Sequence, residues 1–284
     1  MDKELILEFE AEMTVSRDAL LEQLERRIPQ RTGPLRGFYQ NLLDEIINEI
    51  ESGDLRPDEV EAFVRQRVAA AAQQQELSSA IMRNMQADLS SISRHLGDTF
   101  EMLDRPVNVQ EARTLARGRI GNYVLEADKR IGDRLATELG ALGQQYHGEE
   151  FYSMARARIN ITGNHWRTVA DNVLAGYDRE MTRQLAGQGG LNYWKYRGVI
   201  GENTRFFCRQ LLKLGYVYTM DQVMQMDNGQ RLDVLTFAGG YRCVHSFVPG
   251  REGWPGFERP YQKDGRFTRV PVPGSAGRFV VIPN

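Results

Sequence analysis

Over its first 190 positions or so the chain spaces its apolar residues three and four apart, the period of a helix with one buried face. Leu5, Ile6, Phe9, Met13, Leu20, Leu21, Leu24 and Ile28 form a first stripe, broken by Pro29 and then Gly33-Pro34. Leu35, Phe38, Leu42, Leu43, Ile46, Ile47 and Ile50 form a second, ended by Ser52-Gly53. Pro57 suits the first turn of a third helix, with Asp58 and Glu59 beside its positive end. If continuous to Leu103, that helix would be roughly 70 Å long. Its Ala69–Gln75 tract has high helix propensity but few large apolar groups, which predicts weak packing or sides offered to a partner. Pro106 stops it. Asn108 with Glu111 then predicts a capped start for a fourth helix reaching about Gln145. Gly118, Gly121, Gly132, Gly140 and Gly143 lie inside that helix, and they imply close packing or local breaks. A fifth helix is expected from Glu149-Glu150 to the glycines between Gly187 and Gly190.

Beyond that point the texture changes. Leu191–Tyr196, Tyr216–Thr219 and Phe279–Ile282 are short aromatic and β-branched runs that read as strands. From Pro249 onward Gly and Pro recur, which predicts an extended arm or irregular hairpin that needs a body to lie on. The fold class is therefore α+β: a long-helix N-terminal region, then a small α+β C-terminal domain with an extended Gly/Pro-rich arm. By texture the chain divides into residues 1–148 (helical, for assembly or partner binding), 149–249 (α+β with its leading helix) and 250–284 (the arm).

No apolar run is long enough to span a membrane. The acidic opening lacks the basic-then-apolar layout of an export signal, so a reducing compartment is expected, which disfavours a Cys208–Cys243 disulfide. A formal charge of -2 hides an asymmetry. From Tyr193 onward 13 Lys/Arg face 7 Asp/Glu, net +6, leaving 23 against 31 before it, net −8. A basic back half suits nucleic acid or an acidic partner, unless the charges are merely scattered over loops.

Both cysteines and one of the four histidines fall in one short region: Glu202-Asn203-Thr204-Arg205-Phe206-Phe207-Cys208, Asp221, then Arg242-Cys243-Val244-His245. Cys243 and His245 are two apart, so an extended segment would point both to one side. If the chain folds back, Cys208 joins them and offers Zn²⁺ a partial sulfur–nitrogen set, with Asp221, His165 or water as the fourth ligand. A second reading has both cysteines buried as small apolar groups, with His245 in an ordinary hydrogen bond. A third has Cys208 as a nucleophile, His245 as its base and Arg205 lowering the thiol pKa. That third reading lacks an oxyanion-hole motif and a carboxylate fixed by spacing. Arg205 and Arg242 are expected instead to lock the fold through carboxylates such as Glu202 or Asp221. Phosphate-cradling and zinc-deaminase signatures are absent. His95, His147 and His165 read as helix-surface residues, and Trp166, Trp194 and Trp254 as packing anchors.

Tyr193-Trp194-Lys195-Tyr196, Glu202 to Cys208 with its Thr204-Arg205, Gly215-Tyr216-Val217-Tyr218 and Arg242-Cys243-Val244-His245 together resemble the phage head-morphogenesis family, the minor head proteins similar to Mu F. The preceding helix, with Met154 to Arg158 and Asn164, resembles the helix ahead of that family's motif. Glu202 stands where an Asp is usual, and Gly240 and Tyr241 stand where Asn and a first Cys are usual. The resemblance covers about the second half of the chain. It implies a non-enzymatic, low-copy component of a tailed-phage head, found in the virion and, during assembly, in the host cytoplasm. Portal protein or major capsid protein would be its partners, and packaged DNA would lie against its basic half.

Overall fold

The computed structural model describes residues 3–73, 76–230, 232–240, 242–262, 265–275 and 277–284. Met1, Asp2, Gln74, Gln75 and Tyr241 of the segments read above lie outside the described residues. The first apolar stripe is helical, as α1 (Lys3–Ala11) and α2 (Arg17–Glu25) joined by a π-helical turn at Glu12–Ser16. Pro29 and Pro34 sit in the first turns of α3 (Ile28–Arg31) and α4 (Gly33–Ser52), where a missing N–H costs nothing. They restart the helix as well as interrupting it. Gly53 ends α4 in the left-handed conformation expected of a C-cap, at φ 82°.

The third helix is not one rod. After a 3₁₀ turn at Pro57–Glu59 the chain forms α5 (Val60–Gln73), α6 (Glu76–Asn84) and α7 (Gln86–Glu101), with an interruption at Met85 between α6 and α7. Ile81 of α6 and Met85 at the interruption are both buried. By contrast α8 (Val109–Gln145) and α9 (Gly148–Gln188) are each continuous. Asn108 Oδ1 accepts the Glu111 N–H at 3.0 Å, half of the expected capping box; Gln188 Oε1 takes the Asn108 N–H.

Two compact units are drawn from non-contiguous parts of the chain, and they interleave where 1–148, 149–249 and 250–284 divide it by texture. The first comprises residues 1–24, 88–118 and 174–284, the second residues 25–87 and 119–173, with α8 and α9 contributing to both.

The second unit is all helical. Its glycines serve close packing: a Cβ at Gly132, Gly140 or Gly143 would lie 2.1 Å from Val68, 2.5 Å from Glu61 or 2.6 Å from the Pro57 carbonyl oxygen. Tyr39 of α4, Asp128 of α8 and Trp166 of α9 are fully buried in it; the Tyr39 hydroxyl faces Trp166, and both Asp128 oxygens have no hydrogen-bond partner among the described residues.

The first unit carries the sheets. Strand β1 (Tyr193–Arg197) lies between β2 (Val217–Thr219) and β3 (Ser246–Gly250), all antiparallel. Trp194 pairs with Tyr218 and Pro249, and Tyr196 with Phe247. Short helices α10 (Phe206–Leu214), α11 (Met220–Met224) and α12 (Val234–Phe237) connect them. The Gly/Pro-rich arm forms a hairpin of β4 (Phe267–Pro271) and β5 (Phe279–Pro283), with β5 against α10. Its body is this same unit: Trp254, Phe257 and Tyr261 are buried, and Trp254 meets the ring of Phe9 edge-on at 6.2 Å. Strands β3 and β4 are not among those the sequence pattern predicts. Arg17 donates to Asp178 at 2.7 Å in an ion pair with both side chains 1% exposed. No described helix is long and apolar enough to cross a membrane.

Candidate metal centre

Alternation along β1 turns Trp194 and Tyr196 inward. After β1 the chain passes the His245 ring so closely that a Cβ at Gly198 would lie 2.1 Å from it, and Gly198 itself sits at φ +145°. Thr204 then fastens a turn: its Oγ1 accepts the Gly201 N–H at 2.8 Å, and its own N–H bonds the Gly201 carbonyl at 3.1 Å. Arg205 caps α10 in an extended conformation, which puts Cys208 in the first helical turn. From the far side α12 is capped by Asp233, whose Oδ1 accepts the Thr236 N–H at 2.8 Å. Ala238 (φ 49°) and Arg242 (φ 55°) then reverse the chain so that Cys243 and His245 arrive just before β3. Val244 between them is exposed while Cys243 and His245 are buried, so the two point to one side as an extended segment would place them.

Cys208, Cys243 and His245 form one buried cluster that could hold a metal ion, with ligand atoms all within 4.8 Å of one another. The sulfurs are 3.6 Å apart, and Cys243 Sγ lies 3.5 Å from His245 Nδ1. Tetrahedral zinc with ordinary bond lengths has S–S edges of about 3.7 Å and S–N edges of about 3.6 Å. His245 Nε2 lies 2.9 Å from the Val199 carbonyl oxygen, which only accepts, so Nε2 carries the hydrogen and Nδ1 turns its lone pair to the sulfurs. Backbone is packed tightly against the pair: a Cβ on Gly239 would lie 2.0 Å from Cys208 Sγ and 3.0 Å from Cys243 Sγ.

Electrostatics divide the two thiols. The hydrogen bond from Cys208, with His245 and the Arg179 guanidinium, lowers the Cys243 pKa against the effect of burial. Hydrogen bonding to Cys243 and burial push Cys208 up. Burial works against a charged His245, yet Cys243 and the Val199 carbonyl outweigh it and raise its pKa. Tyr196 is raised by burial and by both cysteines. Its hydroxyl donates to Cys208 Sγ at 3.2 Å, and its ring stacks on His245 at 5.8 Å.

The other expected residues have different places. Glu202, Thr204, Arg205 and Arg242 line a cleft of about 390 Å³ whose wall includes all three cluster residues. Arg205 donates to the Gly239 carbonyl at 3.3 Å, bracing the turn beside the sulfurs. Asp221 is exposed in the first turn of α11 and is not a member of the cluster; His165 belongs to the other unit. Of the two thiols, Cys243 is the one in contact with His245, whereas the nucleophile reading pairs Cys208 with it.

Arg179 is a contributor that the sequence pattern does not single out. Buried on α9, it donates to the carbonyls of Cys243, of His245 at 2.9 Å and of Thr236 at 3.2 Å, clamping the turn that carries two of the three ligands. The only signal is the charged run Asp178-Arg179-Glu180 within the apolar stripe of Leu174, Tyr177, Met181 and Leu185. Compared with known proteins, the chain matches no family model, no curated protein and no solved structure.

Proposed function

We propose that the chain is a minor head protein of a tailed phage, acting without catalysis at the portal or capsid in head assembly, DNA packaging or DNA delivery. Cys208, Cys243 and His245 hold a structural zinc ion in this reading, whose binding energy adds to the stability of a loop-rich region. The supporting observation is convergence. The four segments that carry the family resemblance, spread over residues 193–245, meet at one small sheet and one Cys/Cys/His cluster. Long helices supply surface for the portal or capsid, and the basic excess after Tyr193 suits packaged DNA. Immunogold labelling of heads tests the placement: label at a single vertex is expected, and label spread evenly or absent contradicts it.

The 3.5 Å contact between Cys243 and His245 favours a second reading, a Cys/His-dependent hydrolase or toxin-like enzyme. Cys243→Ala separates the two. A structural site loses metal and stability together, whereas an enzyme loses turnover while its unfolding curve stays in place.

A further inference from the structure

Tetrahedral zinc needs four donors, and among the described residues the cluster offers three. Tyr196 closes the buried side, with its hydroxyl on Cys208 and its ring against His245. The other side opens to the cleft of about 390 Å³ in whose wall all three ligands stand. Among the described residues Glu202 is the one carboxylate in that wall, but it is kept apart from the ligands. Its turn is tied by Thr204 to Gly201, and Arg209 donates to the carbonyls of Glu202 and Thr204 at 3.4 and 3.3 Å. Its carboxylate is not among the clustered ligand atoms.

Charge decides what enters. Zinc with two thiolates and a neutral imidazole carries no net charge, so the wall is governed by Arg205 and Arg242 against Glu202, an excess of one positive. Both guanidinium groups suit a carboxylate by geometry as well as charge. Access is narrow, since Cys208, Cys243 and His245 are 1%, 6% and 4% exposed. A slender side chain or a chain terminus reaches such a recess; a duplex backbone does not.

We infer that the metal keeps its fourth coordination position open to this cleft and takes there a carboxylate from a protein partner, an acidic side chain or a C-terminus. The inference rests on the metal reading above. It makes the centre a docking point, so that assembly completes the coordination shell.

Cobalt(II) substitution of the full-length protein, in a buffer free of coordinating anions, tests it by absorption spectroscopy. Acetate should shift the ligand-field bands saturably. Arg242→Gln should weaken that response several-fold while leaving cobalt content and far-UV circular dichroism unchanged. Bands that acetate does not move overturn the inference while leaving the metal site standing. So does a change in the acetate-free spectrum on Glu202→Gln, which would make Glu202 the fourth ligand. A tighter response to inorganic phosphate than to acetate overturns the carboxylate assignment. Absence of any cobalt band in the wild type removes the metal site and this inference with it.

Discussion

Gly239 is the residue at which the metal centre is most sensitive to a single change. Adding one methyl group there puts a carbon 2.0 Å from Cys208 Sγ, 3.0 Å from Cys243 Sγ and 3.6 Å from the Tyr196 hydroxyl, which leaves the sulfurs little room to yield. Gly239→Ala should cost about 1–3 kcal/mol as an overpacked site does, and should lower metal content in the same preparation; thermal unfolding with metal analysis reads both. Asp128 makes a different prediction. Burial raises its pKa from 3.8 to about 6, with no hydrogen bond to either oxygen. Because the folded value lies above the unfolded one, its contribution is fully present below pH 3.8 and is lost as pH rises through about 6. Ionised at neutral pH, it costs about 3 kcal/mol at most, at 1.36 kcal/mol per unit of pKa. Asp128→Asn should therefore raise the melting temperature at pH 7.5 and flatten the dependence between pH 4 and 7. An unchanged pH profile would contradict this account of the buried carboxylate.

Among the elements, α8 shows how position decides the effect of one substitution. Gly118 has nothing within 4 Å of an added methyl group, whereas Gly143 would meet the Pro57 carbonyl oxygen at 2.6 Å. Gly118→Ala should stabilise by about 1 kcal/mol through helix propensity, and Gly143→Ala should destabilise; chemical denaturation of the two variants side by side checks the opposite signs. The sequence points to close packing or breaks at these glycines, and it cannot divide them, because their partners Pro57, Glu61 and Val68 lie on another part of the chain. The long helices α8 and α9 are legible from their ends, Pro106 with Asn108 and Glu111 before one, and Glu149-Glu150 and Gly187 to Gly190 around the other. The interruption of the third helix at Met85 is not legible, since no Gly or Pro marks it. Strand β3 is buried at every position and so has no alternation, and β4 carries Arg269 and Pro271, which argue against a strand. At the centre, residue type alone exposes Cys208, Cys243 and His245. Arg179 stays hidden because a charged run on a helix ordinarily faces solvent, and only the turn at 236–245 gives it three carbonyls to hold.

On the scale of the whole molecule, each compact unit gathers distant parts of the chain. In the α+β unit the N-terminal helices meet α9 through the buried Arg17–Asp178 pair and the C-terminal arm through the Phe9–Trp254 contact. Asp178→Ala leaves Arg17 buried without its partner and should cost about 3–5 kcal/mol, seen as a lower unfolding midpoint; an unchanged midpoint would remove the pair from this role. Basic excess after Tyr193 carries its own expectation: duplex DNA should bind the full-length protein with an affinity that falls steeply as salt rises. Binding that ignores salt, or none, would take DNA out of the proposal and leave the portal and capsid. The central claim is membership of a phage head, and quantitative mass spectrometry of proheads and finished virions from the source tests it most directly. A few copies per particle in either form is the predicted result. Absence from both would contradict the account and bring the Cys/His enzyme to the front.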